Sequence, residues 1–237
     1  PLEQVRGFSF AIADFLLLHG AEALVVACNT ASAAALYALR ARLAVPVIGM
    51  EPAVKPAVEH SHSGVVAVLA TPATFQGALF ASVVERFAHG VEVIPQVCPG
   101  LVEQIERGEL DTLATEALLR ACIEPLLARG IDALVLGCTH YPFVRPLIER
   151  ICGPAVRVID PSTAVARQTA RVLAESERRR GRLPACDEGS TVYYTSGGVN
   201  QFRRALQVLG CPAGEVATAV WVDGQLSIRR SDGEAAP

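Results

Sequence analysis

The stretch "IDALVLGCTHYP", residues 131–142, runs from an aliphatic segment into a cysteine and a threonine, and "AEALVVACNTAS", residues 21–32, does the same about a hundred residues earlier. Each reads as an acidic residue, Ala-Leu-Val, two further residues, a cysteine, then threonine within two positions. Continuous rather than alternating apolar runs mark strands covered on both faces, as in parallel sheets. Helical patterns follow both: "NTASAAAL" after Cys28 and "THYPFVRPLI" after Cys138. Both cysteines are therefore expected at the carboxyl ends of buried strands, where open α/β sheets bind ligands. Thr30 and Thr139 stand where a helix cap is expected, and the free N–H groups of a helix start suit a carboxylate. A thiol at such a position has its pKa lowered. The plain alternative is that cysteine, a commonly buried residue, merely ends a core strand. Two thiols in matching contexts favour a functional pair and a duplicated unit.

The same strand–helix alternation extends along the chain. Further strands are expected at 45–50, 64–70, 91–97, 156–160, 191–197 and 219–224. Helices are expected at 3–18, 31–42, 75–88, 111–128, 142–151, 161–180 and 199–209. The fold class is therefore α/β with parallel sheets. The charge run "ESERRRGR", 175–182, reads as the solvated end of a long helix with arginines at its negative pole. The tail after Ser227 reads as frayed.

Composition narrows the chemistry. With 237 residues, 51% hydrophobic and 19% charged, the chain can bury a substantial core. A net charge of −3 gives no bulk field for nucleic acid or a membrane surface, and no apolar run is long enough to span a bilayer. The seven cysteines are odd in number and contain no C-x-x-C pair, which fits a reducing cytoplasm and speaks against a metal site or disulfide framework. Lysine occurs once, at Lys55, in no pocket motif, so a Schiff-base cofactor is not expected. A Cys–His hydrolase would leave one thiol idle. Two opposed thiols without cofactor suit a racemase: one takes the Cα proton from one face and the other returns a proton to the opposite face. The transition state is carbanion-like and needs fixed donors, which Asn29, Thr30 and Thr139 can supply.

The chain resembles the glutamate racemases of the aspartate/glutamate racemase superfamily. "ACNTAS" and "LGCTHYP" match the two catalytic-cysteine signatures, and "VLATPAT" (68–74), "CPGLVEQIE" (98–106), "VIDPS" (158–162) and "YYTSGGVNQF" (193–202) follow in order. The resemblance implies two pseudo-symmetric α/β domains with the active site in the cleft between them. The first would take 1–51 plus 161–225 and the second 52–160, with 226–237 as a disordered tail. It implies cofactor-independent interconversion of L- and D-glutamate, supplying D-glutamate for peptidoglycan, in the cytoplasm and without metal. Cys28 and Cys138 would be the acid–base thiols. Asn29, Thr30, Thr71, Thr74, Thr139 and His140 would line the substrate, and His140 with Glu106 would assist Cys138. From the residues alone, Thr71 and Thr74 also read as a helix cap and first-turn residue, His140 as a structural histidine, and Glu106 as a solvated helix residue; in the resemblance, Glu103 is the other acid that fits the place of Glu106. The sequence leaves open an aspartate-specific relative, a non-catalytic binding protein and the oligomeric state, a homodimer included. The family's opening Asp-Ser-Gly strand and Tyr-Gly loop do not occur, and the chain begins at Pro1. The expectation is a racemase lacking its first strand, with an unpaired edge beside "ALVVAC" and little activity.

Overall fold

The structure, a computed structural model, describes residues 1–179 and 189–229. The chain opens with helix α1 (Leu2–Leu18), strand β1 (Leu24–Val26), helix α2 (Asn29–Arg42) and strand β2 (Val47–Gly49). The two strands pair in parallel, Leu24 opposite Val47 and Val26 opposite Gly49. Ala13 of α1 and Leu36 and Leu39 of α2 pack on Leu24 and Val47, and Arg42 of α2 bonds Asp14 of α1 at 2.6 Å. Among the described residues β1 pairs with β2 alone, and Val25 is exposed.

A second sheet follows. It uses β3 (Val65–Leu69), β4 (Glu92–Gln96), β5 (Ala133–Leu136) and β6 (Arg157–Ile159), all parallel, in the order β4-β3-β5-β6. Its central strands explain the unbroken aliphatic runs. Along β3 and β5, Ala67, Leu69, Leu134 and Leu136 face one cluster, with Leu101, Leu119, Ile123 and Ile148. Alternate residues Val66, Val68, Ala133 and Val135 face another, with Val54, Ala57 and Val83. Side chains alternate at period 2, but both faces are dry. The first cluster is covered by α6 (Leu101–Glu106), α7 (Leu113–Ala128) and α8 (Arg145–Cys152). The second is covered by α3 (Val54–His60) and α5 (Ala78–Phe87). Asp132, at the foot of β5, accepts hydrogen bonds from the Ser61 hydroxyl and the Ser63 N–H, both at 2.7 Å, and pins the loop that enters β3.

The chain then forms α9 (Ser162–Arg179), β7 (Val192–Thr195), α10 (Val199–Val208), β8 (Glu215–Val222) and β9 (Gln225–Ile228). β7 and β8 are parallel, whereas β8 and β9 form an antiparallel hairpin. This sheet lies against α1: Phe8 meets Trp221 and Phe15 meets Tyr194, with ring centroids 5.0 Å apart in both.

Every expected strand is present; three expectations need correction. The tail placed after Ser227, and the disordered segment drawn from 226, begin too early. Residues 225–228 form β9, and the Arg229 N–H bonds the Thr218 carbonyl at 2.9 Å. The cause is Asp223-Gly224, whose φ of 47° and 79° give the turn that right-twisted hairpins favour. Residues 230–237 lie outside the described residues. The helix expected at 75–88 is broken at Gly77 into α4 (Pro72–Gln76) and α5, because α2 passes so close that a Cβ there would stand 2.6 Å from that of Ala33. α3 was not expected as a helix, and α6 only through the reading of Glu106 as a helix residue. The charge run 175–182 is helical through Arg179, and 180–182 fall outside the described residues.

Candidate active site

Cys28 leaves β1 in an extended conformation (φ −149°, ψ 124°) and is itself the cap of α2: its sulfur accepts the Ala31 N–H at 3.5 Å. Thr30, expected as the cap, instead lies inside the first turn. Its hydroxyl is 2.7 Å from that of Thr71 and 3.1 Å from that of Thr74, and these two are 3.1 Å from each other. Thr71 occupies the cap position of α4, yet its hydroxyl goes to this ring and bonds no helix N–H. Thr30 belongs to α2, beside the two-stranded sheet, and Thr71 and Thr74 follow β3 of the four-stranded sheet. The ring therefore ties the two sheets together where their strands end.

Asn29 is 2% exposed, and neither atom of its side-chain amide has a protein partner. A buried amide left unpaired costs about 1–3 kcal/mol per group. An amide in that state beside a thiol is a donor and acceptor held ready for a ligand.

Cys138 ends the other run. Gly137 lets β5 close onto the end of β3: its N–H bonds the Leu69 carbonyl at 2.7 Å, and a Cβ would stand 2.9 Å from that oxygen. Thr139, also expected as a cap, precedes no regular helix. A 3-10 turn, Tyr141–Val144, intervenes before α8, because Pro142 and Pro146 delay the α-helical ladder. Cys138 is 8% exposed. Burial pushes its thiol above the ordinary value and the nearby Cys28 adds to this, while the His140 and Tyr141 N–H groups pull the other way. The lowered pKa expected of a helix-start thiol does not hold here, because desolvation outweighs the backbone donors. Cys28 lies close enough for its charge to be felt at Cys138.

His140 Nδ1 lies 3.8 Å from the Cys138 sulfur, and its Nε2 is 3.1 Å from Glu106 Oε1. Glu106, at the end of α6, is thus the carboxylate at His140, and not Glu103. Glu106, Thr139 and His140 line a cleft of roughly 650 Å³ together with Thr195, Gly198 and Gln201. Sequence reasoning assigned no role to these last three; "YYTSGG" carries no titratable group in them to draw attention. Lys55 sits on α3, paired with Glu59 at 3.7 Å. Among the described residues no group of three or more His, Cys, Asp or Glu is arranged to hold a metal.

Residues 4–169 match the sequence model of the family described as Asp/Glu/Hydantoin racemase. The chain belongs to this family. Within it, the chain is 48% identical over 208 residues to glutamate racemase of Ectopseudomonas mendocina, covering 87% of this chain and 78% of that protein. It is 46% identical over 221 residues to that of Roseiflexus, covering 92% and 80%. Among solved racemases, the glutamate racemase isoform of Bacillus anthracis superposes with a TM-score of 0.78 at 30% identity, covering 95% of this chain and 83% of that one. The Escherichia coli glutamate racemase, solved with L-glutamate, gives 0.79 at 26% identity, covering 96% and 83%. The racemase family match spans both cysteine turns, the threonine ring and the Glu106–His140 pair.

Proposed function

We propose that this chain interconverts L- and D-glutamate, with Cys28 and Cys138 as the two acid–base groups. The observation that carries the reading is their placement: two cysteines at the ends of strands in different sheets, ends that the contacts of Thr30 with Thr71 and Thr74 hold together. In one direction the Cys28 thiolate takes the Cα proton and the Cys138 thiol returns one to the opposite face; in the other the roles exchange. The unpaired Asn29 amide, with Thr30, Thr71, Thr74 and Thr139, supplies donors for the substrate's carboxylates and for the negative charge of the transition state. His140, backed by Glu106, exchanges the proton of Cys138 with solvent. Relatives named glutamate racemase support glutamate over aspartate. The product supplies peptidoglycan synthesis.

In this reading 1–51 with 161–225 form one lobe and 52–160 the other. The ring contacts of α1 with β7 and β8 support the first grouping, and the confinement of the four-stranded sheet to 65–159 supports the second. No described helix is long and apolar enough to cross a membrane, and we assign the protein to the cytoplasm. The test is D-glutamate formation and Cα deuterium uptake by the parent, Cys28→Ser and Cys138→Ser, with aspartate in parallel. Loss of racemisation in both variants, with deuterium uptake retained from one enantiomer only in each, is expected. Wild-type racemisation by either variant, or faster turnover of aspartate, overturns the reading.

A further inference from the structure

Four buried polar residues occur among those described: Asn29, Ser32, Thr74 and Thr115. Asn29 and Thr74 belong to the site, and Thr115 is satisfied at the start of α7, where it donates to the Glu109 carbonyl at 2.6 Å. Ser32 has no role in the chemistry above, yet it is 1% exposed and makes two bonds with neighbouring strand ends. Its hydroxyl donates to the Val26 carbonyl at 3.1 Å and accepts the Met50 N–H at 2.9 Å.

The identity of those two partners is informative. β1 and β2 are in register with Leu24 opposite Val47, and the Leu24 N–H bonds the Pro46 carbonyl at 2.9 Å. In a parallel ladder of evenly spaced rungs, that pattern continues with Ile48 N–H to Leu24 carbonyl, Val26 N–H to Ile48 carbonyl, then Met50 N–H to Val26 carbonyl. At that last rung the Ser32 hydroxyl takes part, accepting from Met50 and donating to Val26, so it joins the carboxyl ends of both strands. Two residues beyond Val26 is Cys28. The helix that carries Ser32 begins at Cys28, and the Ser32 N–H bonds the Cys28 carbonyl at 2.8 Å. The hydroxyl thereby fixes the first turn of α2 to both strands at the point where the chain must leave the sheet.

We propose that Ser32 is a positioning residue for Cys28: its hydroxyl, spliced into the β1–β2 ladder, sets where that thiol and the adjacent Asn29 and Thr30 stand. It touches no substrate and acts through the turn. Removing it takes from the Met50 N–H and the Val26 carbonyl their shared partner and unfastens the first turn of α2 from both strands. The matching position after Cys138 is Pro142, which has no hydroxyl. The device serves one thiol only.

This inference rests on the assignment of Cys28 as an acid–base group only for its kinetic arm; its structural arm is independent of activity. The test uses the whole chain as Ser32→Ala, Ser32→Thr and Ser32→Cys, with the alkylation rate of each thiol read by mass spectrometry after iodoacetamide, kcat and KM for glutamate, and thermal unfolding. Ser32→Ala is expected to change the Cys28 rate severalfold while that of Cys138 holds, and to lower kcat by about 10–100-fold, the usual scale for a misplacement of about 1 Å. Ser32→Thr, which keeps the hydroxyl, is expected to recover most of both. A folded Ser32→Ala with parental Cys28 labelling overturns the proposal. So does equal slowing of both thiols, which is general loosening. Should Ser32→Ala not fold, Ser32→Cys, with its weaker donor, decides: a changed Cys28 rate with a parental Cys138 rate supports positioning, and parental labelling of both refutes it. A selective Cys28 effect in a chain with no racemase activity leaves this inference standing and removes the functional one.

Discussion

The two thiol turns begin from nearly the same words, "ALVVAC" and "ALVLGC", and end in different surroundings. Cys28 is half-buried at the end of a two-stranded sheet, and the bond recorded to its sulfur comes from the first turn of α2. Cys138 is sunk in the largest core cluster, with an imidazole at 3.8 Å and a carboxylate behind it. One turn is built around fixed donors and a hydroxyl-spliced ladder. The other is built around burial, with a partly exposed imidazole–carboxylate pair beside it. A duplicated sequence pattern thus specifies where a thiol stands, while its neighbours from elsewhere in the chain decide how it works.

The strongest way to break this contrast is to remove the thiols. Cys28→Ser and Cys138→Ser should each lower racemisation by about 10²–10⁴-fold, the range of an acid–base contribution, measured as D-glutamate formed from L-glutamate. Equal, small losses would mean that neither thiol is used.

A sharper cut is His140→Ala or Glu106→Gln, expected to slow turnover by about 10–100-fold, below the full acid–base contribution. Racemisation has an equilibrium constant of one, so kcat/KM must fall equally in both directions. The asymmetry lies in isotope effects. The step at Cys138 becomes limiting, so the enantiomer deprotonated there should show a larger primary effect from Cα deuterium and its mirror image a larger solvent effect. Isotope effects unchanged from the parent would place the pair outside the proton path.

Next comes pH. Burial raises Cys138, so its thiolate forms only at higher pH than an ordinary thiol requires. Its alkylation should accelerate through a midpoint above the normal thiol range. A midpoint at or below that range would contradict the buried site.

The smallest effect serves as a control at the opposite end of the Cys138 strand. Burial alone would raise the Asp132 carboxyl, but the Ser63 N–H, Ser61 hydroxyl and His62 N–H outweigh it and hold it at about 2. A depressed carboxyl contributes stability above its unfolded value, about 3.9, and loses it as pH falls through about 2. Asp132→Asn should lower the melting temperature by about 2–4 °C at neutral pH, the shift expected of about 1 kcal/mol in a chain this size. The difference should shrink in acid, with both thiols labelled at parental rates. A changed Cys138 rate would show that the clamp reaches the site.

Much of this was legible in advance. Continuous aliphatic runs located the strands, because a strand dry on both faces needs apolar residues at every position, as β3 and β5 show. The two cysteines announced themselves by repetition. The pairing of His140 with Glu106 is not written in spacing: they lie 34 residues apart, and only the resemblance brought them together before the fold did. Neither the isolation of the Asn29 amide nor the place of Ser32 in the ladder could be read, since each depends on what the second strand leaves unpaired. The β8–β9 hairpin is signalled by Asp223-Gly224, a two-residue turn of the kind that joins antiparallel strands and not parallel ones.

The threonine ring has a consequence for handedness. Thr30, Thr71 and Thr74 have three hydroxyl protons among them for three mutual contacts. A closed ring can therefore be wired clockwise or anticlockwise, with every oxygen donating once and accepting once in either sense. In the proposed reaction an incoming carboxylate would open the ring at one edge, and whichever hydroxyl is released would become the donor. Most binding sites gain selectivity from donors with a single fixed polarity. A catalyst that must accept an object and its mirror image is better served by donors whose direction is undecided until the guest arrives.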